Sequence, residues 1–138
     1  MREILFRGKR IDNGEWVYGN LIVQNRLIET TYQISSQEGI DNGKSYIFFV
    51  APETVGQSTG MIDKNGRKIF EGDILKGKFK NYAVWFDNNE KAYVYGSSYQ
   101  GGYIHSFATY LSGDFKPLEV IGNVHDNPEL LEEVSNNA

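Results

Sequence analysis

Gly56-Gln57-Ser58-Thr59-Gly60 reads G-x-S-x-G, the pattern in which a strained strand-to-helix turn lifts a serine hydroxyl out of an α/β-hydrolase sheet. That chemistry needs a helix after the serine and βαβ alternation around it, whereas Met61-Ile62-Asp63-Lys64-Asn65-Gly66 runs into a turn. Ser58 is therefore expected in a strand region, with Gly56 and Gly60 at bends or bulges. Asp63-Lys64-Asn65-Gly66, with Glu71 beyond, resembles a calcium loop, but its glycine comes too early for the EF-hand ligand order and its flanks read as strands. A hairpin turn is the better reading. His105 and His125 are the only histidines and there is no cysteine, so a zinc site would need both, together with carboxylates such as Asp87 or Asp126. No phosphate-binding loop, dinucleotide fingerprint or paired-carboxylate spacing is present, so catalysis has no local signature and no cofactor is expected.

Two features suit binding better than chemistry. In a strand over Ile74 to Lys80, Lys76, Lys78 and Lys80 would project from one face and Leu75, Gly77 and Phe79 from the other. Such lysines either contact phosphates or keep an exposed sheet edge from pairing with another chain, and the second is the expected role. Tyr93, Tyr95, Tyr99 and Tyr103 surround a Gly/Ser stretch and offer rigid amphipathic area to a partner; half-buried sheet tyrosines are the alternative.

The elements that must hold these residues are strands. Aromatics make up 14% of the chain beside 15 Gly and 3 Pro, and apolar residues fall in short runs bounded by Gly and Asn. Ile4 to Lys9 and Glu15 to Val23 flank Asn13-Gly14, and Thr54 to Met61 and Arg67 to Phe70 flank Asn65-Gly66. Each Asn-Gly pair is expected to take positive φ at both residues in a two-residue hairpin loop. Leu27 to Ile34 alternates without a plain core face, and Tyr46 to Val50 is a continuous apolar run that suits a central strand. Tyr82 to Phe86 and Ala92 to Tyr95 form a hairpin across Asp87 to Glu90, and Gly72-Asp73 bends the chain before Ile74. Residues 35–44 and 96–102 read as flexible loops; Tyr103 to Leu111 is either a strand or a short helix. Leu118 to His125 is a strand interrupted at Gly122. Asn127 then caps a short C-terminal helix, Pro128 stands at its first position, and residues 135–138 fray.

At 138 residues the chain suits one domain, taken as residues 1–138, with a core large enough to need no disulfide. The absence of cysteine fits a reducing cytoplasm. The first 25 residues hold neither a signal-peptide core nor an apolar span, so no membrane partner is expected. The net charge of −4 is confined to the tail residues Asp126, Glu129, Glu132 and Glu133, and the body before them is neutral. A neutral body lacks the global field that drives nonspecific nucleic-acid binding, though a local basic stripe remains open.

Two segments carry a family resemblance. Ser58 to Lys76 (STGMIDKNGRKIFEGDILK) and Leu118 to Leu131 (LEVIGNVHDNPELL), in this order and spacing, resemble the signature of the YopX family of phage and prophage proteins. Arg2 to Ile22 is similar to the start of many members. The resemblance implies a small β-rich domain of phages or integrated elements, assembled as a homo-oligomer, with no established activity and no catalytic residues to carry over. The shared positions also have a structural account, since Asn65-Gly66, Gly72-Asp73, Gly122 and Asn127-Pro128 are all turn or cap residues.

The expected molecule is thus a single mostly-β domain, a small barrel or sandwich with one short C-terminal helix. The expected role is non-enzymatic, through contacts with copies of itself and with an unidentified host or phage protein in the bacterial cytoplasm. The alternative is a small-barrel nucleic-acid binder using Lys76, Lys78 and Lys80 with the basic start Arg2, Arg7, Lys9 and Arg10, and a tyrosine as stacking platform. A metal-dependent hydrolase using both histidines comes third.

Overall fold

The computed structural model describes residues 3–36, 46–107 and 118–131. The chain forms two compact units, residues 1–58 and 59–138.

In the first unit, β1 (Phe6–Lys9) pairs antiparallel with β2 (Trp16–Asn25), β2 with β3 (Thr30–Ser36), and β3 with β4 (Tyr46–Phe49). The other side of β1 pairs with the start of β5 (Gly56–Ile62). Val17, Ile34 and Val50 are buried here, with Phe6, Leu21, Tyr32, Phe48 and Val55 packed against them. Fully burying such side chains contributes about 1.5–3 kcal/mol each. A single bridge, Arg10 to Val50, ties the end of β1 to the residue after β4, with Ile11 N donating to Phe49 O at 3.0 Å and Ala51 N to Lys9 O at 2.9 Å. One bridge closes no barrel: the strands of this unit lie in the order β4-β3-β2-β1-β5, and β6 (Lys68–Phe70) belongs to the second unit.

Three expectations change in this unit. Tyr46 to Val50 is an edge strand rather than a central one: Tyr46, Ile47 and Phe49 are all about half exposed, so the continuous apolar run does not mark burial on both faces. Leu27 and Ile28 leave the expected third strand and form the β2–β3 turn, closed by Arg26 N donating to Glu29 O at 2.8 Å, with both side chains in solvent. Of the expected loop 35–44, Ser35 and Ser36 belong to β3, and 37–44 lie outside the described residues.

The second unit is built on a five-stranded antiparallel sheet in the order β10-β9-β8-β7-β11. Its strands are β7 (Asp73–Lys76), β8 (Asn81–Asp87), β9 (Ala92–Ser98), β10 (Gly101–Ser106) and β11 (Glu119–Asn123). One face buries Leu75, Val84, Tyr95, Phe107 and Val120 with Ile69 and Leu118. Ala83, Trp85 and Val94 form a second cluster, with Ile104, Val124 and Leu131 against it. Burial on both faces accounts for the apolar density of β8 and β9.

Several expectations change here too. The molecule is two antiparallel sheets and not a barrel, and the C-terminal helix reduces to the 3-10 turn Pro128–Leu131. The side chain of Asn127 bonds back to β11, its Oδ1 accepting Asn123 N at 3.2 Å, while its carbonyl oxygen accepts Leu130 N at 3.0 Å in the turn, none of whose residues is buried. Residues 135–138 lie outside the described residues. The expected loop 96–102 is a hairpin: Gly96 to Ser98 complete β9, Gly101 opens β10, and only Tyr99 and Gln100 turn. Gln100 and Gly102 take positive φ, and the register shifts between Gly101 and Ile104, so glycine here bends a strand rather than ending it. Gly96 is required for packing, because a Cβ there would lie 2.9 Å from the Trp85 ring and 2.6 Å from Tyr103 O. Tyr103 to Ser106 resolve as strand, with Phe107 buried beyond them and 108–111 outside the described residues. Gly122 does not break its strand but sits at the register shift in β11.

The Asn-Gly turns form, by a different geometry. Gly14 and Gly66 take φ of 74° and 83°, while neither Asn13 nor Asn65 is left-handed. Gly66 N donates to Asp63 O at 3.0 Å and Asp63 N to Arg67 O at 2.8 Å, a tight turn followed by one left-handed glycine instead of a two-residue loop. Nothing lies within 4 Å of a Cβ at Gly66, so Gly66→Ala is expected to cost about 1 kcal/mol of backbone strain alone, read by denaturant titration.

Candidate functional site

Ser58 lies inside β5, buried, its N–H donating to Leu5 O at 2.8 Å, with no helix after it. The strained elbow that would activate its hydroxyl is not built. Gly60 does bend, at φ 85°.

Asp63 is 3% exposed and its carboxylate is fully committed to backbone. Oδ1 accepts Asn65 N at 2.9 Å and Arg67 N at 2.8 Å, and Oδ2 accepts Val120 N at 3.0 Å. Burial alone would push this carboxyl up, but the N–H groups of Val120, Arg67 and Asn65 outweigh it, and the group titrates below its ordinary range. The residue that resembled a calcium ligand therefore fastens β11 to the turn between β5 and β6. Asp73 is buried likewise, Oδ2 accepting Phe70 N at 2.7 Å across the Gly72 bend.

His105, on β10, stacks on Tyr95 at 5.0 Å and meets Tyr82 edge-on at 5.4 Å; His125 follows β11. Among the described residues no three His, Asp or Glu side chains are gathered as metal ligands, so the geometry assembles no hydrolase centre from these histidines with Asp87 or Asp126. Asp87 instead closes the β8–β9 turn, its Oδ2 accepting Glu90 N at 2.9 Å.

The basic start of the chain is spent on internal contacts. Arg7 is buried with its guanidinium 4.7 Å from the Trp16 ring centre, and Lys9 Nζ lies 5.8 Å from the same ring. Arg10 holds Asp12 at 2.6 Å and lies over Phe48 at 4.3 Å. The hydrogen bond between them lowers the Asp12 carboxyl and raises Arg10, which fixes both as charged. Arg2 lies outside the described residues.

Lys76, Lys78 and Lys80 behave differently from the expected strand. β7 stops at Lys76, and Gly77 N donating to Lys80 O at 3.0 Å closes a turn that carries Lys78, Phe79 and Lys80. β7 is flanked by β8 and β11, so these lysines guard no open edge. All three are exposed, and among the described residues no carboxylate comes within ion-pair distance of any of them. The expected alternation placed Phe79 on the strand face opposite the lysines; it lies instead in the turn beside them, 86% exposed, with Lys78 Nζ 5.2 Å from its ring centre.

The four tyrosines divide. Tyr95 is fully buried and Tyr93 packs edge-on against Phe86 at 5.2 Å, so both serve the sheet. Tyr99 meets Trp85 edge-on at 6.0 Å and stays partly exposed, while Tyr103 is 91% exposed. Because the start of β8 pairs with the end of β9, the Gly77–Lys80 turn and the Tyr99–Gln100 turn leave the same end of the sheet. Sequence reasoning missed Phe79, although its place between two lysines was a usable signal, and missed the exposed side chains of β4.

This arrangement defines a class: a small two-sheet antiparallel β protein whose matched sequence motifs are turns and buried polar staples. A YopX protein family model matches residues 5–132, and the chain belongs to the YopX family. It is also similar to the crystal structure of protein EF1440 from Enterococcus faecalis, with 25% identity and a TM-score of 0.56 over 96% of this chain and 100% of that one. No curated protein matches the chain. No helix among the described residues is long and apolar enough to cross a membrane.

Proposed function

We propose that this YopX-family chain is a non-enzymatic accessory protein of a phage or prophage, acting in the bacterial cytoplasm as a homo-oligomer through protein contacts. The observation that supports this reading most is β4. It is an edge strand, yet Ile47 and Phe49 are 55% and 52% exposed, and no lysine or proline stands within Tyr46–Phe49 to discourage pairing. Phe49 O already accepts Ile11 N at 3.0 Å, so it is the exposed apolar side chains of Tyr46–Phe49 that suit a partner surface better than water. Leu27 and Ile28 at the β2–β3 turn add apolar surface that a core does not use.

Size exclusion with light scattering should give at least twice the chain mass of 15.7 kDa at tens of micromolar, persisting in moderate salt because apolar burial holds the contact. Ile47→Lys with Phe49→Lys should return the protein to a monomer with little change in melting temperature. A wild-type monomer under these conditions would overturn the oligomer.

A further inference from the structure

We propose that the end of the second sheet formed by the Gly77–Lys80 and Tyr99–Gln100 turns is a contact site for single-stranded nucleic acid, with Phe79 as a base-stacking platform. This goes beyond self-association, which concerns β4, and does not depend on it.

Phe79 stands 86% exposed in the Gly77–Lys80 turn, a large apolar area left in water. Its neighbours in sequence are Lys78 and Lys80, with Lys76 at the end of β7. These cations have no carboxylate partner among the described residues, in contrast to Arg10, which is held by Asp12. Across β7 and β11, Lys76 faces Glu119, which is engaged by Lys64 at 3.7 Å. Exposed lysines on flexible stems around an exposed ring match a ligand that alternates phosphate charge with flat apolar surface. Lysine is depleted from the centres of protein interfaces, which argues against a protein ligand at this tip.

Single strands fit better than duplex for a geometric reason. The face of a ring on a turn can be covered by a base only where that base is unstacked from its neighbours. A second exposed ring lies toward the same end of the sheet. Tyr103, 91% exposed, lies just past the β9–β10 turn and alternates with Ile104, so it shares the face of His105, Tyr95 and Tyr82. The body of the chain is close to neutral, so this local patch would act without a global field and the affinity should be modest and strongly salt-dependent.

Fluorescence anisotropy with a labelled oligo-dT, the same length of duplex DNA, and vesicles containing phosphatidylserine tests the site with the full chain. Saturable binding to oligo-dT at low salt, weaker on duplex and vesicles, is expected. Phe79→Ala should weaken it roughly 5- to 150-fold, the effect of removing one base stack. Lys78→Ala with Lys80→Ala should make the logarithmic salt slope shallower by about 0.7 for each phosphate that is no longer neutralised. All these side chains are exposed, so unchanged melting temperatures separate weakened binding from unfolding. No binding to oligo-dT at low salt, binding untouched by Phe79→Ala, or a preference for duplex or for vesicles would each overturn the proposal.

Discussion

Asp63→Ala is expected to destabilise the protein by about 3 kcal/mol, a large share of the total that holds a small domain folded. The carboxylate is 3% exposed and serves the N–H groups of Asn65, Arg67 and Val120 at 2.8–3.0 Å. Removing it leaves the Val120 N–H buried with no acceptor from this side chain, which alone costs about 1–3 kcal/mol, and frees two turn N–H groups that water can reach in part. Asp63→Asn keeps the shape but turns an amide donor toward one of these N–H groups, so it should recover only part of the stability. The pH dependence has a definite sign. Because the folded carboxyl titrates below its ordinary value, its contribution is present above about pH 4 and is lost as pH falls through the folded pKa. Denaturant titrations between neutral pH and pH 3 should show wild-type stability falling on acidification, and Asp63→Asn should flatten that fall. Equal acid sensitivity in both proteins would remove Asp63 from this role.

Gly19→Ala should cost about 3 kcal/mol or more through steric conflict with backbone. A Cβ at Gly19 would run into the carbonyl oxygen of Ser35, and would lie 2.8 Å from Ser35 C and 3.1 Å from Ser36 Cα. These atoms belong to β3, which pairs with β2 at Asn20 to Ser35, so yielding means breaking the register that buries Ile34. Gly101→Ala is the matched control: nothing lies within 4 Å of a Cβ there and its φ is not left-handed. The two variants should differ clearly in chemical denaturation, and similar stabilities would show that the β2–β3 approach is looser than its geometry.

What was legible in the sequence was mostly punctuation. Asn13-Gly14, Asn65-Gly66 and Gly72 mark turns because positive φ strongly favours glycine, and each of these glycines takes it. The hairpin of β8 and β9 followed from two aromatic runs around Asp87-Asn88-Asn89-Glu90. Misreadings came where composition stands in for environment. Tyr46 to Val50 has the apolar content of a central strand, but residue type does not report how many neighbours a strand has. Gly96-Ser97-Ser98 looks too poor for a strand, yet the small residue at Gly96 is what gives the Trp85 ring its space. Asn127-Pro128 does mark where a turn begins, but it does not say how far the turn runs. Asp63 sits in a polar turn motif, and nothing local says that a strand more than fifty residues later will lean on it.

That last distance bears on how the chain acquires its structure as it is made. In the first unit β1 to β4 pair with their neighbours in sequence, so those pairings become available in order as the segment emerges. In the second unit β7, complete at Lys76, receives its outer partner only when Glu119–Asn123 arrives, and Asp63 receives Val120 with it. Pairings of such long sequence separation carry a loop-closure cost and form late. A ribosome-bound chain therefore presents β7 as a transient open edge for the whole interval between β7 and β11, an aggregation-exposed stage that ends with the last strand of the sheet.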